Sequence, residues 1–152
     1  MAVFGHAVLP VIAWLQFRLG WLALASMVFF AYLPDADIFF HFFFSGDPML
    51  LHRGFTHSLA FALIPLAIYF FIRKAELLWG FGAALTHVAV DGLDTMGTPA
   101  LWPFTNQYFA TGAFKTIADV DVFMFALLGV FLLFFFGAKL FGKTGGLKKG
   151  VK

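Results

Sequence analysis

Five apolar stretches make up most of the chain, and they limit the folds open to it more than any other feature. They cover Val3–Phe17, Leu19–Leu33, Leu59–Ile72, Leu77–Val90 and Val120–Leu140. Only 12% of the residues are charged, about half of the share in a soluble domain. A membrane-spanning helix needs about 20 apolar residues, and the last stretch reaches this length by itself. We therefore predict an all-α, polytopic membrane protein with about five transmembrane or membrane-embedded helices.

The shorter stretches need their polar flanks to reach a spanning length. The third and fourth reach it when Thr56–Ser58 and Asp91–Asp94 are counted as helix. The first two stretches are separated by Arg18, so they predict either a tight hairpin or a partly inserted pair. The chain is thus expected to form one membrane-embedded domain over residues 1–141, followed by a basic cytoplasmic tail over residues 142–152.

The basic residues predict how the helices are oriented. With five spans and a cytoplasmic C-terminal tail, eight of the ten Lys and Arg residues face the cytoplasm, as the positive-inside rule requires. All five His and seven of the eight acidic residues then lie at the non-cytoplasmic face. Only Arg53 and Lys115 balance the seven carboxylates there. Because charges near a membrane are costly unless they are paired or functional, we expect cations to bind at this face.

The available ligands narrow the kind of cation site. The chain has no Cys, so His and carboxylate groups would have to hold a transition metal, as they do in catalytic rather than structural zinc sites. No basic patch with interleaved aromatic residues indicates nucleic-acid binding.

The most polar segment is H-R-G-F-T-H-S, from His52 to Ser58. Thr56 or Ser58 can cap the following helix, which accounts for one hydroxyl without any function. A single His here would be read as a hydrogen-bonded interfacial residue. Two His that flank an Arg-Gly pair favour a functional site, and the guanidinium of Arg53 suits phosphate oxygens.

Two further motifs carry carboxylates at the same face. In L-P-D-A-D, Pro34 ends or kinks the helix, so Asp35 and Asp37 follow on irregular backbone. They can chelate a metal or simply mark the membrane boundary, and His41, four residues later, can join either arrangement. In T-H-V-A-V-D-G-L-D, the spacing places His87, Asp91 and Asp94 on one helical face, close enough to share an ion.

The remaining polar residues fit ordinary structural roles. The segment Thr95–Ala118 is expected to be a long loop whose aromatic residues anchor it at the membrane interface. Asp119 and Asp121 open the last helix, where carboxylates suit the helix dipole. The stretch Phe39–Phe44 is expected to form an interfacial helix or an apolar wall.

Taken in order, L-P-D-A-D, H-R-G-F-T-H-S and H-V-A-V-D-G-L-D, with Gly97 and L-W-P-F after them, resemble the membrane-bound metal-dependent hydrolases of the YdjM/YbcI type. This bacterial and archaeal family includes LexA-regulated inner-membrane hydrolases. The resemblance spans about residues 6–121 and implies a metal-dependent hydrolase of the inner membrane, with a His/Asp site distantly similar to that of zinc-dependent phospholipases C. It also implies that His6 is a ligand, since the family tends to carry a His near its start.

These observations together define a hypothesis. Two or three divalent ions, Zn²⁺ or Mn²⁺ rather than Ca²⁺, are held by six residues: His6, Asp35, Asp37, His57, His87 and Asp91. Arg53 and the metals hold a phosphoryl group, and His52, Asp94 or Asp121 transfers protons. The expected substrate is a phosphate ester of a lipid or of another membrane-proximal molecule, and membrane lipids are the expected partners.

Two alternatives remain open. A metal-independent lipid phosphatase would use His87 and Asp91 as a His-Asp pair, but Ser45-Gly46 is followed by Asp47 where such enzymes carry a His. A divalent-metal transporter or sensor would use the same His/Asp cluster. A transporter should carry its carboxylates near mid-membrane, whereas these residues cluster at one end.

Overall fold

The computed structural model of the chain describes residues 4–39 and 52–144. Over these ranges the regular structure is helical, with one isolated bridge between Thr98 and Phe109, so the all-α prediction is confirmed. The helices discussed below are α1 (Val8–Phe17), α2 (Trp21–Tyr32), α3 (Leu59–Ala62), α4 (Ile64–Ile72), α5 (Glu76–Asp91) and α6 (Ile117–Thr144). Short 3-10 turns cover Gly5–Ala7, Pro34–Ala36 and Phe55–His57.

Within the described residues, α6 is the one helix that is both long and apolar enough to cross a membrane. Its stretch Ile117–Lys139 has a mean hydropathy of 2.4. The other apolar helical stretches are shorter, at 10–17 residues, so the prediction of about five spans is not confirmed. Two of these helices end early because the backbone turns into the left-handed conformation: α1 ends at Arg18 and α4 ends at Arg73.

The third apolar stretch, predicted as one segment, consists of two helices that meet at Leu63. Pro65 lies in the first turn of α4, where its missing N–H leaves no hydrogen bond unmade. Ser58 caps α3, since its Oγ accepts a hydrogen bond from Phe61 N at 3.1 Å. At the other end of the chain, α6 continues to Thr144, so the predicted tail begins inside this helix.

The centre of the bundle is the contact between α2 and α5, which depends on small residues. Ala31, Ala83 and Ala84 are all buried there. A side chain at Gly80 would place its Cβ 2.5 Å from the Phe30 ring. Small residues let two helix backbones approach closely. This packing brings the C-terminal ends of α2 and α5 together, and the candidate site lies there.

A second cluster joins α1 and α6 to this same end. Val8, Val90, Val120 and Met124 form a buried group, so the first turn of α6 packs against the last turn of α5. The turn Gly5–Ala7 is thereby carried to the C-terminal end of α5.

The outer surface of the bundle is strongly apolar. Phe71 is 89% exposed on α4, and Leu133 and Phe134 are 77% and 75% exposed on α6. Large apolar patches of this kind mark surfaces that contact lipid or another protein. A lipid-facing surface is the arrangement expected of the spanning stretch of α6.

Candidate metal centre

Four side chains from three parts of the chain meet beneath the ends of α2 and α5. Each offers one possible ligand atom, and these atoms all lie within 4.8 Å of one another; the residues are Asp35, His57, His87 and Asp91. Their exposed fractions are 8%, 0%, 1% and 2%. The predicted convergence of distant His and Asp residues is therefore present in the structure.

Asp91 lies at the middle of the group. Its Oδ2 is 3.3 Å from His57 Nε2 and 3.5 Å from His87 Nε2. Its Oδ1 is 3.3 Å from His6 Nε2, and the His6 ring stacks on the His87 ring with 3.9 Å between centroids. Because His87 and Asp91 are four residues apart on α5, they face the same pocket, as their spacing predicted.

Hydrogen bonds on the far sides of two imidazoles fix which nitrogens face this pocket. His87 Nδ1 donates to the Ala31 carbonyl at 2.6 Å, which leaves its Nε2 as an acceptor. His57 Nδ1 lies 3.0 Å from Thr56 Oγ1 and 3.3 Å from Asp37 Oδ2. When His57 donates from Nδ1, its Nε2 also faces the pocket as an acceptor. Such outer hydrogen bonds are typical of metal-ligating histidines.

The pocket thus contains acceptors that lack donors. His87 Nε2 and Asp91 Oδ2 have no hydrogen-bond partner among the described residues, and neither do the ring nitrogens of His6. Asp35 Oδ1 faces the same space, 3.3 Å from His57 Nε2. Buried acceptors without donors are costly, and a divalent cation would satisfy them together. The donor set of imidazole and carboxylate fits Zn²⁺ or Mn²⁺.

Without a metal ion, a proton on His57 supplies positive charge to the pocket. Burial lowers the pKa of His57, but the carboxylates of Asp35, Asp37 and Asp91, each 3.3 Å from one of its ring nitrogens, outweigh burial and raise the pKa to about 10. A proton on His57 then takes the position that a metal ion would otherwise fill. The site therefore selects for a cation, whichever one is present.

A second group that could hold a metal consists of Asp37, His52 and His57. The oxygens of Asp37 are already used: they accept from His52 Nδ1 at 2.9 Å, Arg53 N at 3.1 Å and Thr56 Oγ1 at 2.8 Å. Although burial raises the pKa of Asp37, the bonds from His52, His57 and Thr56 hold it well below its usual value. Asp37 therefore orients His52 and His57.

Arg53 and Asp94 form a buried pair behind the pocket. Arg53 is 1% exposed, and its two amino groups each lie 2.8 Å from an oxygen of Asp94. The same guanidinium reaches Asp91 Oδ1 at 3.3 Å. The guanidinium of Arg53, which was expected to contact a phosphoryl group, thus binds the carboxylate of Asp94 within the protein.

Asp94 is equally committed to the protein. Its Oδ1 also accepts hydrogen bonds from the backbone N–H groups of Met96 and Gly97, at 2.8 and 3.1 Å. Burial raises its pKa, but Arg53 and these two bonds lower it below the usual value. A general acid needs a pKa near the working pH, so this geometry does not suit the proton-transfer role predicted for Asp94.

Some contacts that build the site had no signal in the sequence. The Ala31 carbonyl that orients His87 is backbone, and the hydroxyl of Tyr108, expected only to anchor the loop, donates to Arg53 O at 3.0 Å. Gly97 has a φ of +71°, and a Cβ there would lie 2.5 Å from Phe109 O. The loop therefore closes over Arg53 along a path that only glycine allows at this position.

The other predicted residues lie elsewhere or outside the described ranges. Asp121 accepts a hydrogen bond from Gly5 N at 2.7 Å, next to His6 rather than at the pocket centre. Phe39 is 71% exposed. His41, Asp47 and the rest of the predicted wall, residues 40–44, lie outside the residues that the structure describes.

The fold and the site define a helical protein with a strongly apolar surface and a buried His/Asp cluster that could hold a metal ion. The chain belongs to the YdjM inner membrane protein family, whose sequence model matches residues 1–146. The family predicted from the motifs is thus confirmed, and with it a location in the inner membrane.

Two relatives give further context. The uncharacterized protein YfhP of Bacillus subtilis is 37% identical over 83 residues, which is 49% of this chain and 24% of YfhP. The inner membrane protein YbcI of Escherichia coli is 38% identical over 93 residues, which is 54% of either chain. The chain thus spans about a quarter of one relative and about half of the other. No solved structure matches it.

Proposed function

We propose that this protein is a membrane-embedded, metal-dependent hydrolase whose ligands are Asp35, His57, His87 and Asp91. One observation carries the proposal: four buried ligand atoms lie within 4.8 Å of one another, and two of them, His87 Nε2 and Asp91 Oδ2, have no hydrogen-bond partner among the described residues. His6, whose Nε2 lies 3.3 Å from Asp91 Oδ1, can replace one of these ligands. Catalytic zinc sites use this kind of ligand set and keep one position for water.

The metal-binding groups support one ion more readily than two. The two candidate groups share His57, and a neutral imidazole offers a lone pair on only one nitrogen. Once His57 Nδ1 donates to Asp37, the ring can ligate through Nε2 alone. We therefore assign one ion to the Asp35–Asp91 group and make Asp37 a positioning residue, where the sequence had suggested two or three ions and Asp37 as a ligand.

A bound divalent ion would supply a water of lowered pKa at neutral pH and would polarise a phosphoryl or carbonyl oxygen. The protein itself offers a group for proton transfer in His52. His52 Nδ1 donates to Asp37 Oδ1 at 2.9 Å, which leaves Nε2 as a base. The His52 side chain is 26% exposed, more than the other site histidines, while its Nε2 is buried and has no hydrogen-bond partner among the described residues. In this proposal that nitrogen bonds to substrate or to the reacting water.

In this proposal Arg53 contacts neither the metal ion nor the substrate, and it positions the carboxylates beside it. Its bidentate contact with Asp94 and its approach to Asp91 hold the carboxylate of Asp91 toward His57 and His87. We therefore propose that Arg53 and Asp94 position the metal ligands, in place of the phosphoryl contact and proton transfer first expected of them.

A lipid phosphate ester is the substrate class that the site's location favours. The His/Asp pocket lies at the end of α6 where the spanning stretch begins, the depth at which lipid headgroups lie. In this proposal the site faces the non-cytoplasmic side and the helices cross the membrane several times, with the orientation that the basic residues predict.

The proposal is tested by phosphoester turnover with detergent-purified protein, using a short-chain phospholipid and a soluble aryl phosphate. We expect activity that is lost on chelation and restored by Zn²⁺ or Mn²⁺, and that is reduced by at least about 100-fold in Asp91→Asn. Asp119→Asn, which alters a carboxylate on the exposed first turn of α6, should retain activity. Turnover that persists in chelator would contradict the proposal, and if Asp91→Asn abolished that turnover, the result would favour a metal-independent phosphatase.

The near-complete burial of the ligands favours one competing function, a metal sensor or transporter. A buried ion bound by residues on α5 and on the turns Pro34–Ala36 and Phe55–His57 could determine how these elements pack without catalysing any reaction. If the protein binds one metal ion per chain but hydrolyses neither substrate class, this second function gains support.

A further inference from the structure

The opposite end of the bundle carries two clefts that share three residues. Arg18, Phe135 and Lys139, which we call the basic ridge, line both of them. The first cleft has a volume of 520 Å³, and the other residues that line it are Gln16, Phe131, Phe134 and Ala138. The second has a volume of 410 Å³, with Trp14, Leu15, Leu19 and Phe136 as its other lining residues.

The two cations of the basic ridge have no acidic partners in the part of the chain that the structure describes. Among the residues that the structure describes, no carboxylate forms an ion pair with Arg18 or with Lys139, in contrast to the paired Arg53. Lys139 Nζ lies over the Phe135 ring, 4.0 Å from its centroid, which holds the ammonium group beside the clefts. The ridge is therefore a fixed positive group with apolar walls on both sides.

The backbone at Arg18 points to the same conclusion. Arg18 ends α1 with a φ of 53°, a left-handed position at which glycine is the favoured residue. An arginine there costs free energy that glycine would not, and no ion pair between Arg18 and a carboxylate of the described residues offsets this cost.

The depth of the basic ridge in the membrane indicates that its partner is a lipid. The spanning stretch of α6 begins beside the His/Asp site, ends at Lys139 and is 23 residues long. At 1.5 Å per residue this is roughly 35 Å, close to the thickness of the hydrocarbon core. Lys139 thus lies at headgroup depth, while Phe131 and Phe134 lie toward the membrane centre.

We propose that the basic ridge binds an anionic diacyl phospholipid, with its phosphate between Arg18 and Lys139 and one acyl chain in each cleft. The charge of the ridge recognises the phosphate, the paired clefts recognise a two-chain lipid, and basic pockets between membrane helices are known to take such headgroups. This site is distinct from the His/Asp pocket and does not depend on the proposed hydrolase activity.

Native mass spectrometry of the full chain in detergent tests the proposal. The probes are dioleoyl phosphatidylglycerol and dioleoyl phosphatidylcholine, which have the same acyl chains. We expect the wild type to prefer phosphatidylglycerol, and Arg18→Gln/Lys139→Gln to weaken that binding by roughly 20-fold. The matched control Arg73→Gln/Lys74→Gln removes the same charge from the turn between α4 and α5 and should keep the preference. An absent preference, or an equal loss in the control, would overturn the proposal.

Two further variants distinguish binding of a two-chain lipid from binding of an anion alone and from a loss of folding. Arg18→Gly suits the local backbone, so it should fold at least as well as the wild type while losing lipid affinity. Ala138→Trp fills the first cleft without changing charge and should weaken phosphatidylglycerol binding at least fivefold. Unchanged binding in Ala138→Trp, or displacement of the lipid by soluble glycerol phosphate, would show that the ridge binds an anion without acyl chains and would overturn the assignment.

Discussion

The two ends of this bundle carry charge in opposite ways. At the His/Asp end, Arg53 is buried and both of its amino groups donate hydrogen bonds to Asp94. At the other end, Arg18 is exposed beside Lys139 without a carboxylate partner among the described residues. Both arginines have positive φ, 64° and 53°. The same residue type therefore organises a site within the protein at one end and presents charge to the surroundings at the other.

The largest expected difference between the two ends is in stability. Arg53→Ala should lower the free energy of unfolding by about 3–5 kcal/mol, because it leaves Asp94 buried without its partner. Reversible unfolding in detergent, followed by circular dichroism, measures this loss. Lys115→Ala, at an exposed position in the loop before α6, is the matched control and should change stability by less than about 0.5 kcal/mol. Equal effects at the two positions would contradict the buried role of Arg53.

Much of the His/Asp end could be predicted from the sequence because its spacing is regular. The four-residue interval between His87 and Asp91 placed both on one helical face, and the charge distribution brought Asp35 and His57 to the same end. The roles of Asp37 and Arg53 could not be predicted, because they depend on which neighbours fill their hydrogen-bonding positions. The tautomer of His87 depends on a backbone carbonyl of α2, and every residue has such a carbonyl, so the sequence does not indicate which one His87 contacts.

The helix lengths were harder to predict than the site. Hydropathy alone joined Leu59–Ile72 into one segment, although the chain breaks at Leu63, and it could not show that Arg18 and Arg73 end their helices in left-handed conformations. The confirmed long helix, α6, is the one whose apolar stretch is uninterrupted. Local backbone geometry, rather than composition, therefore decided the remaining elements.

The second prediction concerns pH and applies only to the His/Asp end. His57 has a pKa near 6.5 in the unfolded chain and about 10 in the metal-free folded protein. This stabilisation is fully present below pH 6.5 and is lost as the pH rises through 10. A metal ion must displace the same proton, so apparent metal affinity should rise about tenfold per pH unit from pH 6.5 to 8. Competition titrations with a chromogenic chelator measure it, and a flat profile would contradict a protonated His57.

The third prediction tests the outer hydrogen bonds of the site. Thr56→Val removes the hydroxyl that donates to Asp37 at 2.8 Å while keeping the side-chain shape. Metal affinity should fall about tenfold, as is usual when a ligand loses its orienting partner. Thr86→Val is the control, since Thr86 Oγ1 bonds to the Ala83 carbonyl within α5. If both variants bind metal equally well, Asp37 does not orient His57.

The smallest predicted effect is at the basic end. Arg18→Gly should raise the free energy of unfolding by about 0.5–1 kcal/mol, because glycine adopts the left-handed conformation without strain. Its thermal midpoint in lipid-free detergent, compared with that of Arg18→Ala, gives the measurement. A loss of stability with glycine would show that the Arg18 side chain stabilises the fold itself, and the contrast with Arg53 would then weaken.

The most direct test of the account is X-ray absorption at the zinc edge of full-length protein loaded with one equivalent of Zn²⁺. We predict one tightly bound ion per chain with nitrogen and oxygen ligands at about 2.0–2.2 Å, including two or three imidazoles. Asp91→Asn should weaken binding by at least about 100-fold. A wild-type chain that binds no metal, or an ion whose ligands include no histidine, would contradict the claim that the buried His and Asp residues converge around a cation.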